Sequence, residues 1–172
     1  MSSDELIEVK PEFMGFHNGD YPGAFPPKVA ERIRMIAASP CLHFFSGSSK
    51  IGDERIDLTH PNATRNMDVF DFCQSDNRDW EFLVLDPPYA LSDRNVERMG
   101  YAKHDTWLWS SKTRRDILED YIFAHIRQIL WFDTVSPCPR GFYRERTWLY
   151  IKGGYTSIRA LTWLKRKGER LQ

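Results

Sequence analysis

Apolar residues in the first half of the chain recur in patterns that predict alternating helices and strands. A helix is predicted from near Pro27 to near Pro40, because apolar residues there are three and four positions apart. They are Val29, Ile33, Ile36 and Ala37. Short strand candidates follow at residues 41–45, 55–58, 66–70 and 81–85. A helix that precedes several buried strands favours an α/β fold.

The second half continues this alternation. After Ser110 or Ser111, either of which can cap a helix, apolar residues keep helical spacing through Ile129. Strands are predicted at residues 129–132, 146–152 and 157–164. The glycines at 153 and 154 indicate that the last two strands form an antiparallel hairpin. We therefore expect an α/β fold with a mainly parallel sheet and a reversed strand near one edge.

Length and composition indicate one domain. A chain of 172 residues can bury one full core, and 41% hydrophobic with 28% charged residues is ordinary for a globular protein. The N-terminus lacks the basic flank and apolar centre of a secretory signal, and no apolar run has the length of a membrane span. We expect residues 1–172 to form a single cytoplasmic domain, with residues 1–20 flexible. A bacterial, archaeal or viral source would fit.

The charge is balanced overall but divided unevenly along the chain. Residues 1–99 hold 10 Lys and Arg against 17 Asp and Glu, a charge of −7, and residues 100–172 hold 14 against 7, a charge of +7. A basic C-terminal half can face nucleic-acid phosphates. The alternative is that Lys165-Arg166-Lys167 is only a solvated tail.

The segment Asp86-Pro87-Pro88-Tyr89 carries the clearest chemistry, because it follows the apolar run 81–85. Open α/β sheets bind ligands at the carboxyl ends of their strands. The Asp86 carboxylate and the Pro87 carbonyl can each accept a hydrogen from a planar amine, which localises the nitrogen lone pair. The prolines hold that carbonyl rigidly, and Tyr89 can stack on a flat substrate. The alternative is a turn that ends a strand, where Asp and Pro are common.

The tetrapeptide resembles the hallmark of the amino-group methyltransferases of DNA adenine and cytosine. The resemblance implies a Rossmann-like methyltransferase fold and S-adenosylmethionine as the methyl donor. In that family a Phe-x-Gly-x-Gly loop after the first parallel strand wraps the methionine part of the donor. Residues Phe45, Ser46, Gly47, Ser48 and Ser49 resemble this loop, with Ser49 in place of the second glycine.

The same resemblance implies the rest of a donor site. Asp57 follows the second parallel strand, where an acidic residue binds the ribose hydroxyls. Asp68 follows the third, where an acidic side chain meets the adenine amino group and Val69 and Phe70 line the ring. Phe25, Pro26 and Pro27 are similar to the segment that precedes the donor loop.

Two connections depart from the family's pattern. Between Gly47 and Arg55 there is no room for a crossover helix, which usually needs about a dozen residues with its loops. We expect a bare loop, in which the N–H groups of residues 47–50 or the Lys50 side chain would bind the donor carboxylate. The segment 134–143 is likewise too short for a helix.

No target-recognition domain is apparent. The candidate substrate loop is residues 90–110, where Arg94, Lys103 and Trp107 suit phosphate contacts and base stacking. It could instead be a lid or a surface loop that its tryptophans anchor. Sequence specificity is therefore expected to be low, or to come from a protein partner.

Several alternatives remain open. The leading hypothesis is methylation of the N6 amino group of adenine in DNA, or less favourably of cytosine. The acceptor could also be RNA or a protein amide, or the chain could be an inactive methyltransferase-like subunit that binds nucleic acid or a partner. No metal site is expected, because the His and Cys residues lack ligand spacing. No Gly-x-Gly-x-x-Gly follows the first strand, which disfavours a nicotinamide-binding module.

Overall fold

The computed structural model describes residues 12–13, 25–87, 111–151 and 158–168. In these ranges the helices are α1 (Pro27–Ile36), α2 (Val69–Ser75) and α3 (Lys112–His125). The strands are β1 (Glu12–Phe13), β2 (Cys41–Phe44), β3 (Glu54–Asp57), β4 (Arg65–Asn66), β5 (Trp80–Leu85), β6 (Ile126–Asp133), β7 (Phe142–Ile151) and β8 (Ile158–Arg166). β1 therefore lies inside the segment 1–20 that the sequence suggested is flexible. The substrate loop 90–110 lies outside the described residues.

The strands form one mixed sheet in the order β1-β7-β8-β6-β5-β2-β3-β4. The strands from β2 to β6 pair in parallel, and β1 is parallel to β7. β8 is inserted between β6 and β7 and is antiparallel to both. The predicted α/β class, the mainly parallel sheet and the antiparallel C-terminal strands are confirmed.

Both faces of the sheet carry a buried core. On one face, α2 and α3 pack over a cluster that includes Phe44, Leu83 and Tyr121. On the other, α1 buries Val29 and Ile33 against strand residues such as Phe82. The helix predicted after Pro27 is confirmed, and Pro27 occupies its first turn, where the missing N–H has no intrahelical partner to lose.

Two parallel connections run without a helix, as the sequence predicts. Residues 45–53 join β2 to β3, and residues 134–141 join β6 to β7. In the first loop, Ile51 is buried on the α1 face and so fills part of the space that a crossover helix would cover. Gly52 has a φ of +96°, and a Cβ there would lie 3.2 Å from both the Cys41 carbonyl oxygen and the His43 Cβ. The loop therefore lies directly against β2.

The strand predicted at residues 66–70 is wrong. β4 ends at Asn66, and Val69 begins α2. The Asp68 carboxylate accepts the Phe70 N–H at 2.7 Å and caps this helix, a role for which Asp is among the preferred residues. Val69 and Phe70 point into the core on the α2 and α3 face.

The long helix also ends earlier than its apolar spacing indicates. α3 stops at His125, and Ile126 begins β6 without an intervening loop. Ile129 pairs with Leu83 in the sheet. The end of α3 is held by the Arg166 side chain of β8, whose Nε donates to the Ile126 carbonyl at 3.0 Å and whose Nη2 donates to the Phe123 carbonyl at 2.9 Å.

Candidate functional site

The strand order reverses between β2 and β5, and we call the region at the carboxyl ends of these two strands the crevice. From β2 the chain proceeds outward to β3 and β4, and then returns to β5 on the opposite side of β2. Such a switch point is where open α/β sheets bind their ligands. Phe44 lies opposite Leu85 in the register. The next residues, Phe45 and Asp86, therefore leave adjacent strands at the same edge, so the two predicted motifs meet there.

The loop that follows β2 has an unusual backbone. Phe45 has a φ of +57°, a conformation that a bulky residue rarely adopts and that often marks a functional segment. Gly47, at +48°, also lies in the left-handed region. The Ser46 N–H donates to the Ile56 carbonyl at 3.1 Å, which ties the loop to β3. The Ser46 side chain is only 2% exposed, and its Oγ has no hydrogen-bond partner within the described ranges.

Asp57 fastens this loop to the one that follows β3. Its Oδ2 accepts the Gly47 N–H at 2.8 Å, and its Oδ1 accepts the N–H groups of Thr59 at 3.1 Å and His60 at 2.9 Å. A carboxylate offers about four acceptor positions. Three acceptor positions of Asp57, which the sequence predicts as a ribose ligand, are therefore engaged in backbone bonds.

Some of the other N–H groups in this loop also make hydrogen bonds within the described ranges of the protein, and some do not. The Ser49 N–H donates to the Ser46 carbonyl at 2.9 Å, and the Asn62 side chain donates to the Ser48 carbonyl at 3.1 Å. Within the described part of the chain, the N–H groups of Ser48 and Lys50 make no hydrogen bond. Of the four N–H groups expected to receive a donor carboxylate, those of Gly47 and Ser49 are occupied and that of Ser48 remains. Lys50 instead lines a cavity with Arg34 and Cys41 at the amino end of β2, which corrects its expected place at the donor site.

The third acidic position lies beside the crevice, at the start of α2. Asp68 is half-buried, and one of its carboxylate oxygens accepts the hydrogen bond that caps α2. Val69 and Phe70 are buried at the same helix end. The Arg114 guanidinium, from the first turn of α3, lies 4.9 Å from the centre of the Phe70 ring. The structure therefore brings Val69 and Phe70 to the expected edge, mainly as core residues.

Phe25 and Pro26 lie on the opposite face, over the same end of the sheet. The Phe25 ring stacks on His43 of β2 at 5.4 Å between centroids and meets Phe132 of β6 edge-on at 5.9 Å. Both Phe25 and Pro26 are buried. These contacts place Phe25 against β2 on the face of the sheet that carries α1.

The tetrapeptide is described only in part. Asp86 follows β5 directly and is 8% exposed, and Pro87 is buried. The remaining predicted residues of the substrate site lie outside the described residues: Pro88, Tyr89, Arg94, Lys103 and Trp107.

One acidic residue at this edge was not predicted from the sequence. Asp133 ends β6, beside the carboxyl end of β5, and is 1% exposed. Its oxygens accept the Thr134 N–H at 2.6 Å and the Trp131 indole N–H at 3.3 Å. Burial raises the pKa of Asp133 above its ordinary value, although these hydrogen bonds oppose the shift. An acidic residue that closes an apolar strand, as Asp86 does, is the sequence feature that could have indicated it.

Among the described residues, no group of His, Cys, Asp and Glu side chains is arranged to hold a metal ion. In the same ranges, no helix combines the length and apolar character that crossing a bilayer requires. Comparisons of the chain with protein-family models, with curated proteins and with solved structures found no match.

Proposed function

We propose that the chain transfers a methyl group from S-adenosylmethionine to an exocyclic amino nitrogen, with N6 of adenine in DNA as the favoured acceptor. The observation that carries the proposal is the meeting of two motifs at the switch point. The loop from Phe45 to Gly47 and the pair Asp86-Pro87 leave neighbouring strands at one crevice. The strand order, with β8 reversed between β6 and β7, also supports a Rossmann-like methyltransferase fold.

The residues at the crevice fit a donor that has a charged amino-acid end and a ribose. The Ser48 N–H group would receive the carboxylate. The buried Ser46 hydroxyl offers a further donor and acceptor beside it. Asp57 would keep one acceptor position for a ribose hydroxyl while holding Gly47 in place.

The acceptor amine would be activated by hydrogen bonding. The Asp86 carboxylate and the Pro87 carbonyl would each accept one amino hydrogen, which draws the nitrogen toward tetrahedral geometry and directs its lone pair away from the ring. The donor supplies an electrophilic methyl on a sulfonium centre. The new C–N bond forms as the C–S bond breaks, the sulfur keeps the bonding electrons, and the nitrogen then loses a proton. Because Asp86 is largely buried, its hydrogen bonds would be little weakened by water.

Calorimetry with S-adenosylmethionine and with its demethylated product tests donor binding. Labelled donor incubated with separate DNA, RNA and protein pools then identifies the acceptor. We expect label in DNA, and its loss in Asp86→Ala, which removes the hydrogen-bond acceptor. Asp120→Ala removes an exposed carboxylate on α3 and is the matched control. Absence of donor binding at millimolar concentration, or full labelling by Asp86→Ala, would contradict the proposal.

A second candidate is an inactive methyltransferase-like subunit. The specific observation in its favour is that Asp57 already accepts three backbone N–H groups. A site that had lost its donor could retain such a carboxylate for structure alone. The two candidates differ in the same calorimetry: the inactive subunit binds neither donor nor product, whereas the enzyme binds both.

A further inference from the structure

The sheet face that carries α1 has an aromatic and cationic surface on β7 and β8. Arg146 of β7 lies directly opposite Trp163 of β8. Because side chains on one face of a strand repeat every second residue, Trp148 and Lys165 lie on the same face as that pair. Both tryptophans pack at the margin of the core beneath α1, and both remain partly exposed. We call these four residues the β7–β8 surface.

Cations lie over both tryptophan rings. The Lys165 ammonium is 4.4 Å from the centre of the Trp163 ring. The guanidinium of Arg146 is 5.8 Å from the Trp148 ring, and that of Arg32, from α1, is 5.0 Å from the same ring. Each ring is therefore in a cation–π contact with at least one cationic side chain, so positive charge and aromatic surface lie side by side.

The surface is positive after its ion pairs are considered. Lys165 is 3.5 Å from Glu145, and Arg32 is 2.8 Å from Glu12. Arg146 is exposed and forms no ion pair with a carboxylate in the described ranges. The β7–β8 surface also belongs to the half of the chain that carries a charge of +7. It therefore suits a partner that is anionic.

Most of β7 has one neighbouring strand among the described residues. In those ranges β1 pairs with Tyr150 and Ile151, and residues 142–149 are paired with β8 alone. Trp148 and Trp163 are diagonal neighbours across the β7 and β8 pair, and such neighbours are about 7–8 Å apart between Cα atoms. At that separation a different planar group can stack on each ring.

We propose that the β7–β8 surface binds a single-stranded segment of nucleic acid, with phosphates at Arg146 and Lys165 and bases against Trp148 and Trp163. Cationic side chains interleaved with aromatic rings are the usual means of holding single strands without sequence preference. A duplex would offer phosphates to the cations but keep its bases stacked away from the rings. The inference rests on the proposed nucleic-acid acceptor and adds a second contact, on strands other than the one that Asp86 follows, for the strand that flanks the target base.

Fluorescence anisotropy with a labelled 12-nucleotide strand, as DNA and as RNA, tests the proposal without donor present. The double variant Arg146→Gln and Lys165→Gln should bind about tenfold more weakly in 0.1 M salt, with the slope of log affinity against log salt reduced by about 1.4, or about 0.7 for each lost phosphate contact. Trp148→Leu should weaken binding about tenfold and leave that slope unchanged. Thermal melting checks that each variant is folded.

Arg140→Gln is the matched control, because the Arg140 guanidinium also lies over a ring, that of Phe123 on α3, at 4.5 Å. It should bind as the unaltered protein does. Wild-type affinity and slope in the Arg146 and Lys165 variant would overturn the inference, as would equal competition by polyglutamate or the absence of strand binding. The same titration in Asp86→Ala separates this surface from the reaction: strand binding that depends on Arg146 supports the inference even if no methyl is transferred.

Discussion

His43 links the stability of the fold to pH in a way that can be measured. The side chain is 0% exposed, stacks under Phe25, and lies with its Nδ1 3.0 Å from the Ile51 carbonyl. That carbonyl can only accept, so Nδ1 carries a proton, and burial disfavours a second proton on Nε2, which leaves the ring neutral. Its Nε2 has no partner in the described part of the chain. Protonation would therefore place an unpaired N–H and a charge inside the core.

Burial lowers the pKa of His43 to about 4, against an ordinary value of 6.5. A lowered histidine pKa contributes stability that is complete above pH 6.5 and is lost as the pH falls toward 4. Between pH 7 and pH 5 this group alone should cost about 2 kcal/mol of the free energy of unfolding. Urea unfolding at the two pH values measures that loss.

His43→Gln removes the titrating group and keeps a side-chain donor for the Ile51 carbonyl. We expect it to lose about 2 kcal/mol less than the unaltered protein between pH 7 and pH 5. Equal losses in the unaltered protein and in His43→Gln would refute the argument from burial.

Three further substitutions test the loops and the helix end. Gly52→Ala combines a positive φ with a Cβ placed 3.2 Å from the backbone of β2, whereas Gly168→Ala has a similar φ of +97° and open space. Urea unfolding should therefore show a loss of about 3 kcal/mol at Gly52 and about 1 kcal/mol at Gly168, and equal losses would contradict the close approach. Arg166→Ala should cost about 2 kcal/mol by releasing the carbonyls at the end of α3, with Arg166→Lys intermediate; wild-type stability of the alanine variant would exclude this role. Asp57→Ala should weaken donor binding about tenfold in calorimetry by freeing Gly47, and unchanged affinity would show that the loop holds its shape without that carboxylate.

The sequence predicted the elements whose patterns are long or bounded by clear signals. α1 was predicted from its apolar spacing after Pro27, and the antiparallel pair of β7 and β8 from its glycines. α2 was missed because a run of seven residues is too short to distinguish a helical period from a buried strand. The end of α3 was missed because Ile126 fits the helical spacing, and only its pairing opposite Trp80 in the sheet decides against a helix.

In the candidate site, too, some features were predictable from the sequence and others were not. The edge shared by Phe45 and Asp86 was predictable, because the carboxyl ends of parallel strands meet on one side of a sheet. The bonds from Asp57 to three backbone N–H groups were not, because they depend on how two loops fold over one another. The burial of Asp133 was also inaccessible, since it arises from β8 packing alongside β6.

The loop of residues 45–53 also bears on how the chain folds. Closing a loop costs entropy that rises with its length, and a return of this size is shorter than the usual crossover of a dozen residues or more. β2 and β3 are thus close in sequence as well as in space, and proteins rich in such local contacts fold faster. We expect this pair of strands to assemble early. Because pairing of β2 and β3 fixes both ends of this short loop, we expect the turn at Phe45 to form during folding. A ligand would then bind to a turn that is already formed.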